Sequence, residues 1–97
     1  MEEQAQKIAD ILKLLSNKNR LLILCSLLQG PQTVGEIHKN LSGISGSALS
    51  QHLGQLKTAG ILSSEKQGMH VFYQINDSRI LALMETLKCQ YCSPGNH

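Results

Sequence analysis

The chain is 97 residues long, 41% hydrophobic and 16% charged, with a formal net charge of +2; that is one domain's length, and too apolar for a disordered tail. No apolar run approaches the roughly 18–20 residues needed to span a bilayer, and Met1-Glu2-Glu3 offers no secretory leader, so the chain reads as cytoplasmic with no membrane partner. With sixteen Leu, two Tyr, one Phe and no Trp the core must be aliphatic, and three Cys in a cytosolic chain are buried thiols, metal ligands or redox groups, not a disulfide framework.

Residues 3–16 are periodic: Ala5, Ile8, Leu12 and Leu15 form one stripe with Ile11 beside it, and Gln6, Asp10 and Lys13 lie opposite, which predicts an amphipathic first helix. Asn17-Lys18-Asn19 breaks it, and either Asn can cap a second helix. Residues 19–29 are apolar almost all round, the pattern of a central buried helix, and Gly30-Pro31 stops it. Thr33 with Glu36 has the capping-box spacing and opens a short third helix with Val34, Ile37 and Leu41 on one side. After the Ser42-Gly43-Ile44 turn, Ser45 caps a fourth helix of about 13 residues that ends at Ala59-Gly60. Its inward stripe is Leu49, Leu53 and Leu56; Ser47, Ser50, Gln51, Gly54 and Thr58 face outward. The period then changes to two. Ile61–Lys66, a Gln67-Gly68 turn and Met69–Ile75 predict a β-hairpin. Asn76 or Asp77 caps a last helix with Ile80, Met84, Leu87 and Tyr91 in one stripe, followed by a frayed Ser93-Pro-Gly-Asn-His97 tail.

The order α–α–α–α–β–β–α, with a short helix, a turn, a longer helix and a hairpin, is a mainly α winged helix-turn-helix. Residues 1–92 are expected to form one DNA-binding and dimerisation domain, with 93–97 a disordered tail. A major-groove reader needs an apolar inner face and, on its outer N-terminal turns, short side chains with donors and acceptors. Ser47, Ser50 and Gln51 meet both demands, and Gln can pair bidentately with adenine. The plain alternative is a solvated helix face. His52, at the edge of the inward stripe, reads as a packed, hydrogen-bonded residue ahead of a base contact. From His38 to His70 the charges are Lys39, Lys57 and Lys66 against Glu65, whereas residues 1–16 carry three acids against two Lys, so the positive excess lies on the side of the fourth helix and hairpin.

The segment Ser45-Gly-Ser-Ala-Leu-Ser-Gln-His-Leu-Gly-Gln-Leu-Lys-Thr-Ala-Gly-Ile-Leu62 resembles the recognition helix of the ArsR/SmtB family of winged-helix repressors. Asn17-Lys-Asn-Arg-Leu-Leu-Ile-Leu24 is similar to the start of that family's second helix, and Val71-Phe-Tyr-Gln-Ile75 to its wing; the resemblance spans residues 5–92. It implies a homodimer built on the first and last helices, binding an inverted-repeat operator as a repressor that a chemical signal relieves. The DNA-contact candidates are then Ser47, Ser50, Gln51, His52, Thr33, Lys39, Lys57, Lys66 and His70. Gly46 stands where the family often has Gln, and the wing tip Lys66–His70 has no Arg, so minor-groove contact would rest on Lys66 and His70.

The third helix has no Cys-x-Cys, and after Asp77 no His follows until His97, so both familiar metal sites of the family are absent. Cys25 in Leu-Leu-Ile-Leu-Cys25 and Cys92 in Thr86-Leu-Lys-Cys-Gln-Tyr-Cys92 resemble the dithiol, persulfide-responsive branch, the BigR, SqrR and HlyU type. That likeness implies a Cys25–Cys92 disulfide or polysulfide bridge formed by reactive sulfur species or another thiol oxidant; Cys89 is extra to the pattern. Three alternatives stay open. Cys25, Cys89 and Cys92 together suit a soft metal or metalloid ion; the cysteines can be plain packing groups; and the domain can bind protein in place of DNA. No phosphate loop, carboxylate pair or nucleophile–base motif supports an enzyme, and no cofactor is expected.

Overall fold

The computed structural model describes residues 1–91, with side chains described as far as residue 88. The helices are α1 (Glu2–Leu15), α2 (Lys18–Leu27), α3 (Val34–Lys39), α4 (Gly46–Thr58) and α5 (Ser78–Tyr91), and the strands β1 (Gln32–Thr33), β2 (Leu62–Gln67) and β3 (His70–Ile75). The sheet is antiparallel in the order β1-β3-β2. The fold is the expected winged helix-turn-helix with one added strand. Two residues carry no period-two signal; β1 forms because the edge of β3 needs partners, and Gln32 opposite Tyr73 and Thr33 opposite Phe72 supply them.

Local chemistry sets the boundaries. Asn17 is the residue that caps α2: its side-chain oxygen accepts from the Asn19 and Arg20 N–H groups at 2.9 and 3.1 Å. The Thr33–Glu36 box forms in both directions, with Thr33 Oγ1 accepting from Glu36 N at 3.2 Å and the Thr33 N–H donating to Glu36 Oε1 at 2.9 Å. At the end of α4, Gly60 adopts φ +81°, its N–H bonds Lys57 O at 3.0 Å, and the Ile61 N–H bonds Leu56 O at 3.0 Å. This is a Schellman ending, and Ile61 and Leu56, its hydrophobic pair, are both buried. It turns the chain directly into the wing. The wing's own turn is Gly68-Met69, one residue later than expected, with Gly68 at φ +64° in the first central position that a two-residue II′ turn reserves for glycine.

The core is aliphatic, as the composition requires. Ile23, Leu24 and Leu27 of α2, Ile37 of α3, Leu49, Leu53 and Leu56 of α4, Ile61 and Leu62 entering the wing, and Ile80 and Met84 of α5 are buried, and no polar or charged side chain among the described residues is. The first helix is different. Of its stripe only Leu15 is buried, while Ile8 and Leu12 remain 57% and 52% exposed. Leu87 on α5 is 37% exposed. Among the described residues, no helix is long and apolar enough to cross a membrane.

Candidate nucleic-acid interface

Leu49, Leu53 and Leu56 anchor α4 in the core, and this fixes which residues it presents outward. Gly46, Ser47, Ser50, Gln51, Gly54, Gln55, Lys57 and Thr58 are exposed, a surface of small and polar side chains through which a nucleic-acid groove can approach the backbone. Ser45 caps the helix, its Oγ accepting from Ala48 N at 3.1 Å and lying 3.2 Å from Ser47 Oγ. The preceding turn is held by a residue to which the sequence pattern assigned no part: His38 Nε2–H donates to the Ile44 carbonyl at 2.8 Å. Since a carbonyl only accepts, this bond fixes the tautomer of His38.

The basic candidates lie on α3, on α4 itself and on the wing. Lys39 is exposed at the end of α3. Lys57 Nζ donates to Ser64 Oγ at 2.7 Å, tying the last turn of α4 to β2. The hairpin register pairs Lys66 with Val71 and Gln67 with His70, so Lys66 and His70 lie on opposite faces of the wing. His70 packs edge-on to Phe72, with ring centroids 6.5 Å apart, and Met69 at the tip is 93% exposed. Thr33 is committed to its cap: its hydroxyl also donates to Glu36 Oε1 at 3.1 Å. The Thr33 N–H and hydroxyl hold the Glu36 carboxyl below its ordinary value, with smaller help from Lys39 and His70.

His52 does not belong to the outward surface. It is half-buried, and its Nδ1 accepts from Arg20 Nε at 3.3 Å. Burial, and next the Arg20 charge, push its pKa below the ordinary histidine value. This is the packed, hydrogen-bonded environment expected from its position on the stripe edge. Arg20 itself is the residue that sequence reasoning passed over. Its Nη1 donates to Leu14 O at 2.9 Å and its Nη2 to Gln55 Oε1. The available signal was an Arg in the first turn of a helix that is apolar from Leu21 to Cys25.

Cys25 is half-buried on α2, packed against the core, and forms one wall of a cavity of about 240 Å³ with Leu22, Ser26, Gln29, Gln32 and Asn40. The Cys89 side chain, Cys92 and the 93–97 tail lie outside the described residues. Asp77 caps α5: its carboxylate accepts from the Arg79 N–H at 2.9 Å and from the Arg79 guanidinium at 2.9 and 3.1 Å. The Arg79 side chain first, then its backbone N–H, lowers the Asp77 pKa.

A family profile described as "Bacterial regulatory protein, arsR family" matches residues 17–64. The "Transcriptional activator HlyU" of Vibrio cholerae is 39% identical over 92 residues, which cover 95% of this chain and 84% of that protein. Among solved structures, reduced HlyU from Vibrio cholerae superposes with a TM-score of 0.88 at 39% identity, covering 95% of this chain and 96% of that one. The transcriptional repressor BigR from Xylella fastidiosa superposes with a TM-score of 0.84 at 34% identity, covering 95% and 93%.

Proposed function

The chain belongs to the arsR family of bacterial regulatory proteins and is a DNA-binding transcriptional regulator; from that premise we propose that it is a homodimeric, sequence-specific repressor whose hold on an inverted-repeat operator is set by thiol chemistry at Cys25 and Cys92. The observation that carries the DNA half is the outward surface of α4: three buried leucines behind, and Ser47, Ser50 and Gln51 in front on the turns that a major groove admits first. Gln51 pairs with a base, Ser47 and Ser50 bond base edges or phosphate, Lys39, Lys57 and Lys66 neutralise the backbone, and His70 hydrogen-bonds to it. Residues 1–92 act as one DNA-binding and dimerisation unit. Its role is recognition, not catalysis.

The thiol half rests on the likeness to the dithiol branch and on the half-buried Cys25 beside its small cavity. A persulfide RS–SH transfers its outer sulfur to the Cys25 thiolate, giving Cys25–S–SH and releasing RS⁻. The Cys92 thiolate then attacks the Cys25 sulfur, forms the disulfide and releases HS⁻. Joining residue 92, next in sequence after α5, to the last turn of α2 changes how the dimer presents its two α4 helices, and the operator is released.

Three measurements test these halves. Duplexes selected from a random pool should bind far more tightly than scrambled ones, with a steep salt dependence; equal binding to every duplex favours a protein-interaction role. Mass spectrometry after treatment with a persulfide donor should show a Cys25–Cys92 crosslink together with lost operator binding, both abolished in Cys92→Ser. Stoichiometric zinc or As(III) on the reduced protein, lost in Cys89→Ser, overturns the redox reading in favour of a metal site.

A further inference from the structure

We propose that Arg20 is the positioning residue of the reading helix: its guanidinium fastens α4 to the end of α1 and thereby sets the angle at which Ser47, Ser50 and Gln51 are presented. This inference rests on the assignment of α4 as the groove reader. The geometry is specific. The backbone of Arg20 is itself fixed, its N–H bonded to the Asn17 cap at 3.1 Å. From there the side chain bonds in three directions: Nη1 to Leu14 O at 2.9 Å, Nε to His52 Nδ1 at 3.3 Å, and Nη2 to Gln55 Oε1. Leu14 lies in the last turn of α1, whose carbonyls have no partner within the helix. His52 and Gln55 are three apart on α4 and therefore stand one above the other on one flank, 32 and 35 residues from Arg20 in sequence. A planar fork bonded to two successive turns of a helix resists both its rotation about its own axis and its tilt. Gln51 is the immediate neighbour of His52, so a few degrees of rotation would carry its amide away from a base edge.

The bond to His52 has a condition: Nδ1 accepts only while the imidazole is neutral. The Arg20 guanidinium of α2 is bonded to it, and the other partners of that guanidinium, the Leu14 carbonyl of α1 and the Gln55 amide of α4, are both neutral; Arg20 is the charge that acts on His52. Burial and that charge both favour the neutral form. As the pH falls through the lowered pKa of His52, the imidazolium loses its acceptor and faces a guanidinium, and the helix is released from its clamp.

The test compares cognate with scrambled duplex affinity, well below the melting temperature, for wild type, Arg20→Lys, Arg20→Gln, His52→Asn and His52→Leu. Arg20→Lys keeps the charge but not the fork, and Arg20→Gln removes both. Each is expected to lose roughly 10- to 100-fold on cognate DNA, the range of one well-made base contact, with little change on scrambled DNA. His52→Asn, whose Oδ1 accepts at every pH, is expected to keep the specificity ratio and flatten its decline at acid pH, while His52→Leu loses the ratio at all pH values. His38 and His70 are common to these proteins, so the difference reports His52 alone. The His52 pair keeps the test decisive if the Arg20 variants do not fold. Lowered melting temperature with an unchanged specificity ratio, or an Arg20→Lys protein that discriminates as wild type does, overturns the proposal and leaves Arg20 a purely structural bond. A wild-type protein with no cognate preference overturns the assignment of α4 itself, a different and distinguishable failure.

Discussion

A side chain that reads bases and one that neutralises phosphates differ in what their loss does to specificity. Gln51 stands exposed on the second turn of α4 with both amide groups available. Gln51→Ala is therefore expected to cost about 1–3 kcal/mol on cognate DNA and almost nothing on scrambled DNA. Lys39→Ala should weaken both alike and lower the salt slope by about one. Fluorescence anisotropy at several salt concentrations checks the pair, and equal losses on both duplexes for Gln51→Ala would remove it from the base-reading set. Residue identity on α4 was legible from the sequence because its leucines leave no choice of inward face. His52 was legible only as an edge residue, since helical angle says where a side chain points but not what waits there. Arg20 was illegible for the same reason: both its side-chain partners on α4 lie more than 30 residues away. No short-range spacing encodes such a bond.

Elements here are ended by specific backbone chemistry, and their stability should respond accordingly. The Glu36 carboxylate is held in its charged form by the Thr33 N–H and hydroxyl. A lowered folded-state pKa means a stabilising contribution that is complete above the ordinary value of 4.5 and is lost as the pH falls through the lower folded value. Urea midpoints of wild type and Glu36→Gln should thus differ most at neutral pH and converge in acid; a constant difference would show that the carboxylate charge does not matter to the cap. At the other end of the reader, Gly60→Ala puts a Cβ on a residue at φ +81°. It should cost about 1–2 kcal/mol in the same urea titrations although the Cβ would meet open space. The capping box, the Asn17 cap and the wing were all readable because each is written in adjacent residues. Strand β1 was not. Its two residues are ordered by the edge of β3, some 40 positions later in the chain.

At the scale of the whole molecule, α1 is the element that the monomer leaves unfinished. Its sequence has the apolar stripe of a packed helix, yet Ala5, Ile8 and Leu12 stand in water; Leu15 alone is buried, with Ile11 and Leu14 partly packed against the core. Leu87 repeats the pattern on α5. An amphipathic helix whose apolar stripe faces solvent gains little from folding unless something covers that stripe. On the proposed reading, in which the operator is an inverted repeat, the occupant is a second copy of the chain, since a two-fold site is matched by a two-fold protein. Leu12→Glu places a charge in the middle of this stripe at a position that a lone protomer already exposes, so the protomer's own melting should change little. Sedimentation is expected to show a dimer for wild type and a monomer for this variant. Affinity for the full operator should fall by about 10²–10⁴-fold, the avidity lost when two linked reading heads become one, while affinity for a single half-site stays the same. A Leu12→Glu protein that remains dimeric would move the interface away from α1. A wild-type protein that is monomeric at full operator affinity would mean that one α4 helix carries the whole recognition, and that the exposed stripe serves a different partner.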